Sequence, residues 1–187
     1  MNTTTAQATT VLTHLLLSHS TETAVIKAPA DKIDIAGWLL NLPDAEYQRC
    51  APPDHKAAGR TTSADGRPMS INVEMIGTGL VIQHYVAETA EKLHCHMNSL
   101  SDVYTPQGWT TVNVVWDLQA EAIDENTCRY TNSVTSYPTE AFMDFITAHG
   151  QSFEEASAVR QEASGDHNRR ETPQFAASIE RKALAQG

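Results

Sequence analysis

The sequence predicts an α+β fold in which a curved antiparallel sheet wraps around one long helix near the C-terminus. Two observations carry this. From Met69 onward, apolar and polar residues alternate with a period of two through extended segments joined by short turns. After Pro138 the period becomes helical: Phe142, Phe145, Ile146, His149, Phe153 and Ala156 fall on one stripe. That amphipathic helix must cover the apolar face of the sheet.

The elements follow in order. Residues 1–20 read as a polar, Thr-rich arm with one short helix at Val11–Leu17. No Lys or Arg precedes that run, and it is too short to span a bilayer. Glu22–Ala28 reads as the first strand, ended by Pro29. Asp31 can cap a helix over Lys32–Leu42, whose apolar face is Ile35, Trp38, Leu39 and Leu42. Asp44–Pro68 reads as irregular, since Pro52 and Pro53 exclude a central strand.

The strands "MSINVEMIG", "GLVIQHYVAE", "KLHCHMNSLSDVY", "WTTVNVVWDLQAEAI" and "TCRYTNSVTSY" follow. Turn residues punctuate them at Asp65-Gly66, Thr78-Gly79, Pro106-Gln107-Gly108 and Asp124-Glu125-Asn126, as in an antiparallel meander. Thr139 can cap the long helix, which is expected to run to about Ser164. A break at "SGDHNRRETP" then precedes a short final helix over Pro173–Leu184. The division is an arm at 1–20, a sheet-and-helix domain at 21–165 and a helical extension at 166–187.

Composition narrows the function classes. The chain has 187 residues, enough for one domain with a sizeable core, and a formal net charge of −10. That charge repels phosphate backbones, which argues against nucleic acid and anionic membranes as partners. Cys50, Cys95 and Cys128 are too sparse for a disulfide framework, so a reducing, cytoplasmic setting is expected. The arm and the final helix offer surfaces for a homo-oligomer.

This order of elements resembles the helix-grip fold of the Bet v 1-like, or START/polyketide-cyclase, superfamily. The likeness covers about residues 22–164. It rests on "VIKAPADKIDIAGWLLNLPDAEY" as strand, Pro and helix, and on the closing helix. It implies a cavity between sheet and long helix for a hydrophobic, aromatic or polyketide-like small molecule, held by a cyclase, lyase or hydrolase or by a non-catalytic carrier.

Within that reading, His149 is the first acid–base candidate, because it sits on the apolar stripe and imidazole is the side chain suited to exchanging protons with a ligand. His84 is the second, in phase with Leu80, Ile82 and Val86. Trp116, Tyr130, Met75, Phe145 and Phe153 would line the pocket, and no cofactor is required. His94 and His96 flank Cys95 on a strand, but the apolar Leu93, Cys95 and Met97 claim the buried side, so both histidines are expected to face solvent.

A second resemblance is local. "WLLNLPDAEYQRCAPPDH", from Trp38 to His55, is similar to the Tyr-x-x-x-x-Pro-x-Asp-His stretch of phloretin hydrolase-like enzymes. Those are metal-dependent hydrolases that break a carbon–carbon bond beside an acylated phenol ring. The resemblance implies that His55 is a ligand to zinc, with a carboxylate from a strand and another from the long helix, where Glu154 and Glu155 stand. The tryptophan that the family carries before Pro-x-Asp-His is replaced here by Cys50-Ala51. Glu74 is the nearest strand carboxylate, with an expected phase that turns it away from the face of Val73 and Met75. "HNRRET" reads as a solvated charged face.

Overall fold

A computed structural model describes residues 9–185. Seven antiparallel strands form one sheet: β1 (Ser18–Ile26), β2 (His55–Thr62), β3 (Pro68–Ile76), β4 (Gly79–Ala90), β5 (His94–Thr105), β6 (Gly108–Ala122) and β7 (Cys128–Pro138). Their order is β1-β7-β6-β5-β4-β3-β2, so β3 to β7 form the expected meander, and β1 and β2 are the edges. Between β1 and β2 lie a 3-10 turn (Ala30–Lys32), α1 (Ile35–Leu39) and α2 (Asp44–Cys50). After the sheet come α3 (Glu140–Ala148) and α4 (Phe153–Leu184).

The described part of the N-terminal arm holds no helix. Val11 forms an isolated bridge to Thr139, and β1 begins at Ser18, earlier than the apolar pattern suggests. The expected Lys32–Leu42 helix is shorter, because Asp34 rather than Asp31 caps it by accepting from the Gly37 amide at 2.8 Å. The segment read as irregular contains α2 and β2. β2 escapes the proline rule because it starts after Pro53 and lies at the sheet edge.

The largest correction concerns the closing helix. The stripe from Phe142 to Ala156 is split, since α3 ends at Ala148 and Gly150 takes a positive φ of 69°. Ser152 then starts α4 with a capping box, its side chain accepting from Glu155 N while the Glu155 carboxylate accepts from Ser152 N. From there α4 runs unbroken for 32 residues, through "SGDHNRRETP" and with Pro173 inside it. Side chains facing the sheet explain the continuity: Ser164, His167, Asn168, Glu171, Thr172, Phe175, Ala176 and Ile179 are all buried.

α4 covers the concave face in three successive stretches. Ala156, Arg160 and Ala163 overlie an apolar cavity roofed by α3. Ser164, His167, Asn168 and Glu171 overlie a polar chamber. Phe175, Ala176, Ile179 and Ala183 pack into the core with Trp38, Ile33, Ile35, Met97 and Leu118. There Phe175 meets Trp38 edge-on at 5.1 Å, and Trp38 Nε1 donates to Ser178 Oγ at 2.9 Å.

In β3 and β4 the two faces are the reverse of the expected ones. Ser70, Asn72, Glu74 and Ile76 point inward from β3, and Val81, Gln83 and Tyr85 from β4. Met69, Ile71, Val73 and Met75 lie on the convex side with Leu80, Ile82 and His84. Alternation defines two faces, but it does not say which of them meets the core when the concave one must hold a polar site.

Candidate metal centre and its cavity

His55 is the first residue of β2, Glu74 is on inward-facing β3, and His167 and Glu171 are one turn apart on α4. All four are buried and converge. His55 Nε2 lies 3.5 Å from Glu74 Oε2 and 3.2 Å from Glu171 Oε2. His167 Nε2 lies 3.4 Å from Glu74 Oε2 and 3.3 Å from Glu171 Oε2. A tetrahedron with zinc–ligand bonds near 2.0–2.1 Å has edges of about 3.3–3.4 Å. The four nitrogen–oxygen separations therefore match the edges of a zinc-sized tetrahedron.

The surrounding groups orient these atoms. His55 Nδ1 donates to the Tyr47 carbonyl at 2.7 Å, and His167 Nδ1 donates to Asp54 Oδ2 at 2.9 Å. Each ring thus turns Nε2 toward the centre, the arrangement that metal-binding histidines use. Tyr47 OH donates to Glu74 Oε2 at 3.0 Å, and Gln83 Nε2 to Glu74 Oε1 at 2.6 Å. Asn132 Nδ2 donates to Glu171 Oε1 at 3.1 Å. Tyr47 also stacks on His55, with centroids 3.8 Å apart and planes 2° from parallel. His167 Nε2 is sealed from solvent with no well-aligned hydrogen-bond partner. A buried nitrogen of that kind fits a cation at the centre.

The electrostatics agree. Burial raises the Tyr47 phenol, and the Glu74 charge raises it further, so Tyr47 remains a donor. Burial disfavours charge on His167, but Glu74 and Glu171 outweigh it and bring its pKa to about 11. Burial also works against ionised Glu171, yet His167 and His55 hold its pKa at about 2. Two fixed carboxylates thus call for positive charge at this point, which a proton on His167 meets and a divalent ion would meet in its place.

Beside the four clustered side chains the chamber has room for about 20 Å³, roughly one water, lined by Asn72, Gln83, Tyr85, Trp116 and Arg160 among others. Next to it is a cavity of about 380 Å³ bounded by Val103, Val112, Phe142, Phe145, Ile146 and His149. Ile76 and Arg160 line both spaces.

The residues singled out from sequence are dispersed. His55 is in the cluster. Glu154 is exposed at the start of α4, 17 residues and about 25 Å of helix from Glu171, which occupies the position expected of it. Trp116 lines the chamber and donates to Asn132 Oδ1 at 2.7 Å. Tyr130 is buried in the core and borders neither space. Met75 and His84 are on the convex face, and His84 Nε2 is 3.1 Å from Asp102 Oδ2. Phe145 and His149 line the larger cavity, with His149 Nδ1 donating to the Phe145 carbonyl at 2.7 Å. Phe153 packs instead beside Leu16 and Leu17. His94 and His96 are convex, both within hydrogen-bond reach of Asp117 Oδ2, at 2.9 and 2.6 Å.

Sequence reasoning missed His167, Glu171 and Arg160. The available signal was "HNRRE", which places His167 and Glu171 at i and i+4 on one helical face while Arg169 and Arg170 face outward.

The architecture is a helix-grip fold, a curved antiparallel sheet closed by a long C-terminal helix. Solved structures with this fold include the ZhuI aromatase/cyclase of a Streptomyces species, at TM-score 0.60 and 15% identity over 90% of this chain and 94% of that one. Norcoclaurine synthase of Thalictrum flavum superposes at TM-score 0.50 with 11% identity, covering 96% of this chain and 98% of its own. The di-domain aromatase/cyclase BexL gives 0.51 and 13% identity over 88% of this chain and 49% of its own length. These likenesses establish the fold and carry no argument about a metal. The sequence matches no protein-family model and no curated protein significantly. Among the described residues, no helix is long and apolar enough to cross a membrane.

Proposed function

We propose that this protein is a divalent-metal-dependent hydrolase, with zinc as the foremost ion, acting on an aromatic or polyketide-like ketone held in the larger cavity. The observation that carries this reading is the set of four nitrogen–oxygen separations of 3.2–3.5 Å among His55, Glu74, His167 and Glu171. An ion there supplies Lewis acidity and lowers the pKa of a water. The chain provides the rest. The chamber holds roughly one water beside the ligands, and the apolar cavity holds the organic body against Phe142, Phe145 and Ile146.

The local resemblance at Trp38–His55 supports cleavage of a carbon–carbon bond next to a hydroxylated ring. In that reaction water adds its oxygen to the ketone carbon, the bond from that carbon to the ring breaks, and the ring carbon takes up a proton. An aryl ketone and water become an arene and a carboxylic acid. Tyr85 lines the chamber, and burial raises its phenol so that it stays a donor.

The test is elemental analysis of protein purified without added metal, together with turnover of a polyhydroxylated aryl ketone. About one equivalent of metal and turnover lost on chelation are expected. Full activity in metal-free protein would overturn the reading. It would favour instead a cyclase using His149, which lines the larger cavity. Bound metal without turnover of any ketone would favour a carrier.

A further inference from the structure

Arg160 is a cation without a counter-ion. Its Nε is sealed from solvent and has no hydrogen-bond partner, and its guanidinium forms no ion pair with any described residue. The neighbouring turns of α4 offer none, since Ala156, Ser157, Ala163 and Ser164 surround it. The nearest inward carboxylate, Glu74, is already engaged by Tyr47 and Gln83. Burial works against the Arg160 charge, and the fields of Glu74 and Tyr85 only partly offset it. The side chain is half-buried, with Nε sealed, and stands where the polar chamber meets the apolar cavity, lining both.

We propose that Arg160 anchors a negatively charged oxygen group, a carboxylate or an ionised phenol, on the molecule that the cavity binds, so that the substrate is an organic anion. This rests on the hydrolase reading for where the reacting carbonyl lies. Arg160 precedes His167 by seven residues on the same face of α4, about 10 Å along the axis. A molecule held in the apolar cavity can meet the guanidinium at its inner end, where only the water-sized chamber separates it from the four-residue cluster. The net charge of −10 adds weight, because an anion entering this molecule needs a specific cation to receive it. A planar guanidinium suits both oxyanions through paired hydrogen bonds.

The probes are 2-naphthoate and its neutral isostere 2-naphthamide, with binding measured by calorimetry on the full chain. Wild-type protein is expected to prefer the naphthoate by about tenfold or more. Arg160→Met should abolish that preference while leaving naphthamide affinity in place, which also shows that the variant is folded. Arg160→Gln should behave alike, and Arg160→Lys should retain part of the preference. Equal binding of the two probes by wild type, or a preference that survives in Arg160→Met, would overturn the proposal.

Repeating the titration on chelator-treated protein separates the two readings. A preference that persists after chelation and depends on Arg160 supports the anchor whatever the metal result. A preference lost on chelation but kept in Arg160→Met would place the anion at the four-residue cluster, removing the anchor and leaving the metal reading intact.

Discussion

His55 Nε2 and Glu171 Oε2 lie 3.2 Å apart although 116 residues separate them along the chain. One comes from the first residue of an edge strand and the other from the middle of the closing helix. The site therefore exists only when α4 is seated over the sheet, and occupancy of the site and docking of the helix are coupled.

An ion bound to all four side chains should stabilise the folded state alone, because the unfolded chain cannot assemble them. Chelation is expected to lower Tm by about 5–10 °C, the effect of losing a ligand held at about a hundred times its Kd. Scanning calorimetry with and without chelator measures this. The drop should vanish in Glu171→Ala, which removes a ligand.

Removing any one of the four should also remove chemistry. His167→Ala and Glu171→Gln are expected to lower kcat by about a hundredfold or more. His84→Ala should leave kcat nearly intact, since His84 faces away from the chamber toward Asp102. His149→Ala should act mainly on KM, because His149 borders the cavity but not the cluster. Steady-state kinetics on the four variants distinguishes these outcomes.

The packed end of the helix makes a different prediction. Phe175 is fully buried between Trp38 and Trp116, with ring centroids 5.1 and 5.8 Å away. Phe175→Ala is expected to cost about 3–5 kcal/mol, read from urea unfolding. Metal binding should weaken as well, because His55 lies 5.7 Å from the same ring.

Acid should loosen the contact between α2 and α4. Burial pushes the Glu46 pKa up, but hydrogen bonds from Ser178, Arg49 and Arg181 together outweigh it and lower the pKa to about 2. A folded pKa below the unfolded one means the contribution is complete above about 4.5 and is lost as pH falls through about 2. The Tm gap between wild type and Glu46→Gln should therefore be constant near neutrality and shrink as pH drops below 4.5. Glu46 is half-buried but its partners Arg49 and Arg181 are exposed, so added salt should also reduce the gap.

Arg160→Met should raise stability, because it replaces an unpaired, partly buried cation with an apolar chain of similar length. A Tm increase of roughly 2–4 °C, corresponding to about 1 kcal/mol, is expected in the ligand-free protein. Differential scanning fluorimetry reads it directly.

The meander, its turns and the presence of a closing helix were legible in the sequence because they depend on local rules: alternation, Gly and Asp at turns, an apolar stripe. The continuity of α4 was not. "SGDHNRRETP" is polar in composition, and Pro173 is a helix breaker by propensity, yet His167, Asn168, Glu171 and Thr172 are buried against polar partners from distant strands. Only the fold brings those partners near. The faces of β3 and β4 were misassigned for the same reason. Glu74 pointed the wrong way as long as apolar residues were assumed to face inward, and a concave face that holds a charged cluster reverses that assumption.

The three stretches of α4 divide the labour of the molecule among short blocks of sequence. Substitutions at Ala156 and Val159 reshape the apolar cavity about two to three turns before His167, clear of the four-residue cluster. Changes beyond Phe175 alter how firmly the rod is fastened, with little effect on admission. On the proposed hydrolase reading, selectivity, reactivity and durability therefore map to separate blocks of a single helix, and a change of substrate preference need not rebuild the chemistry.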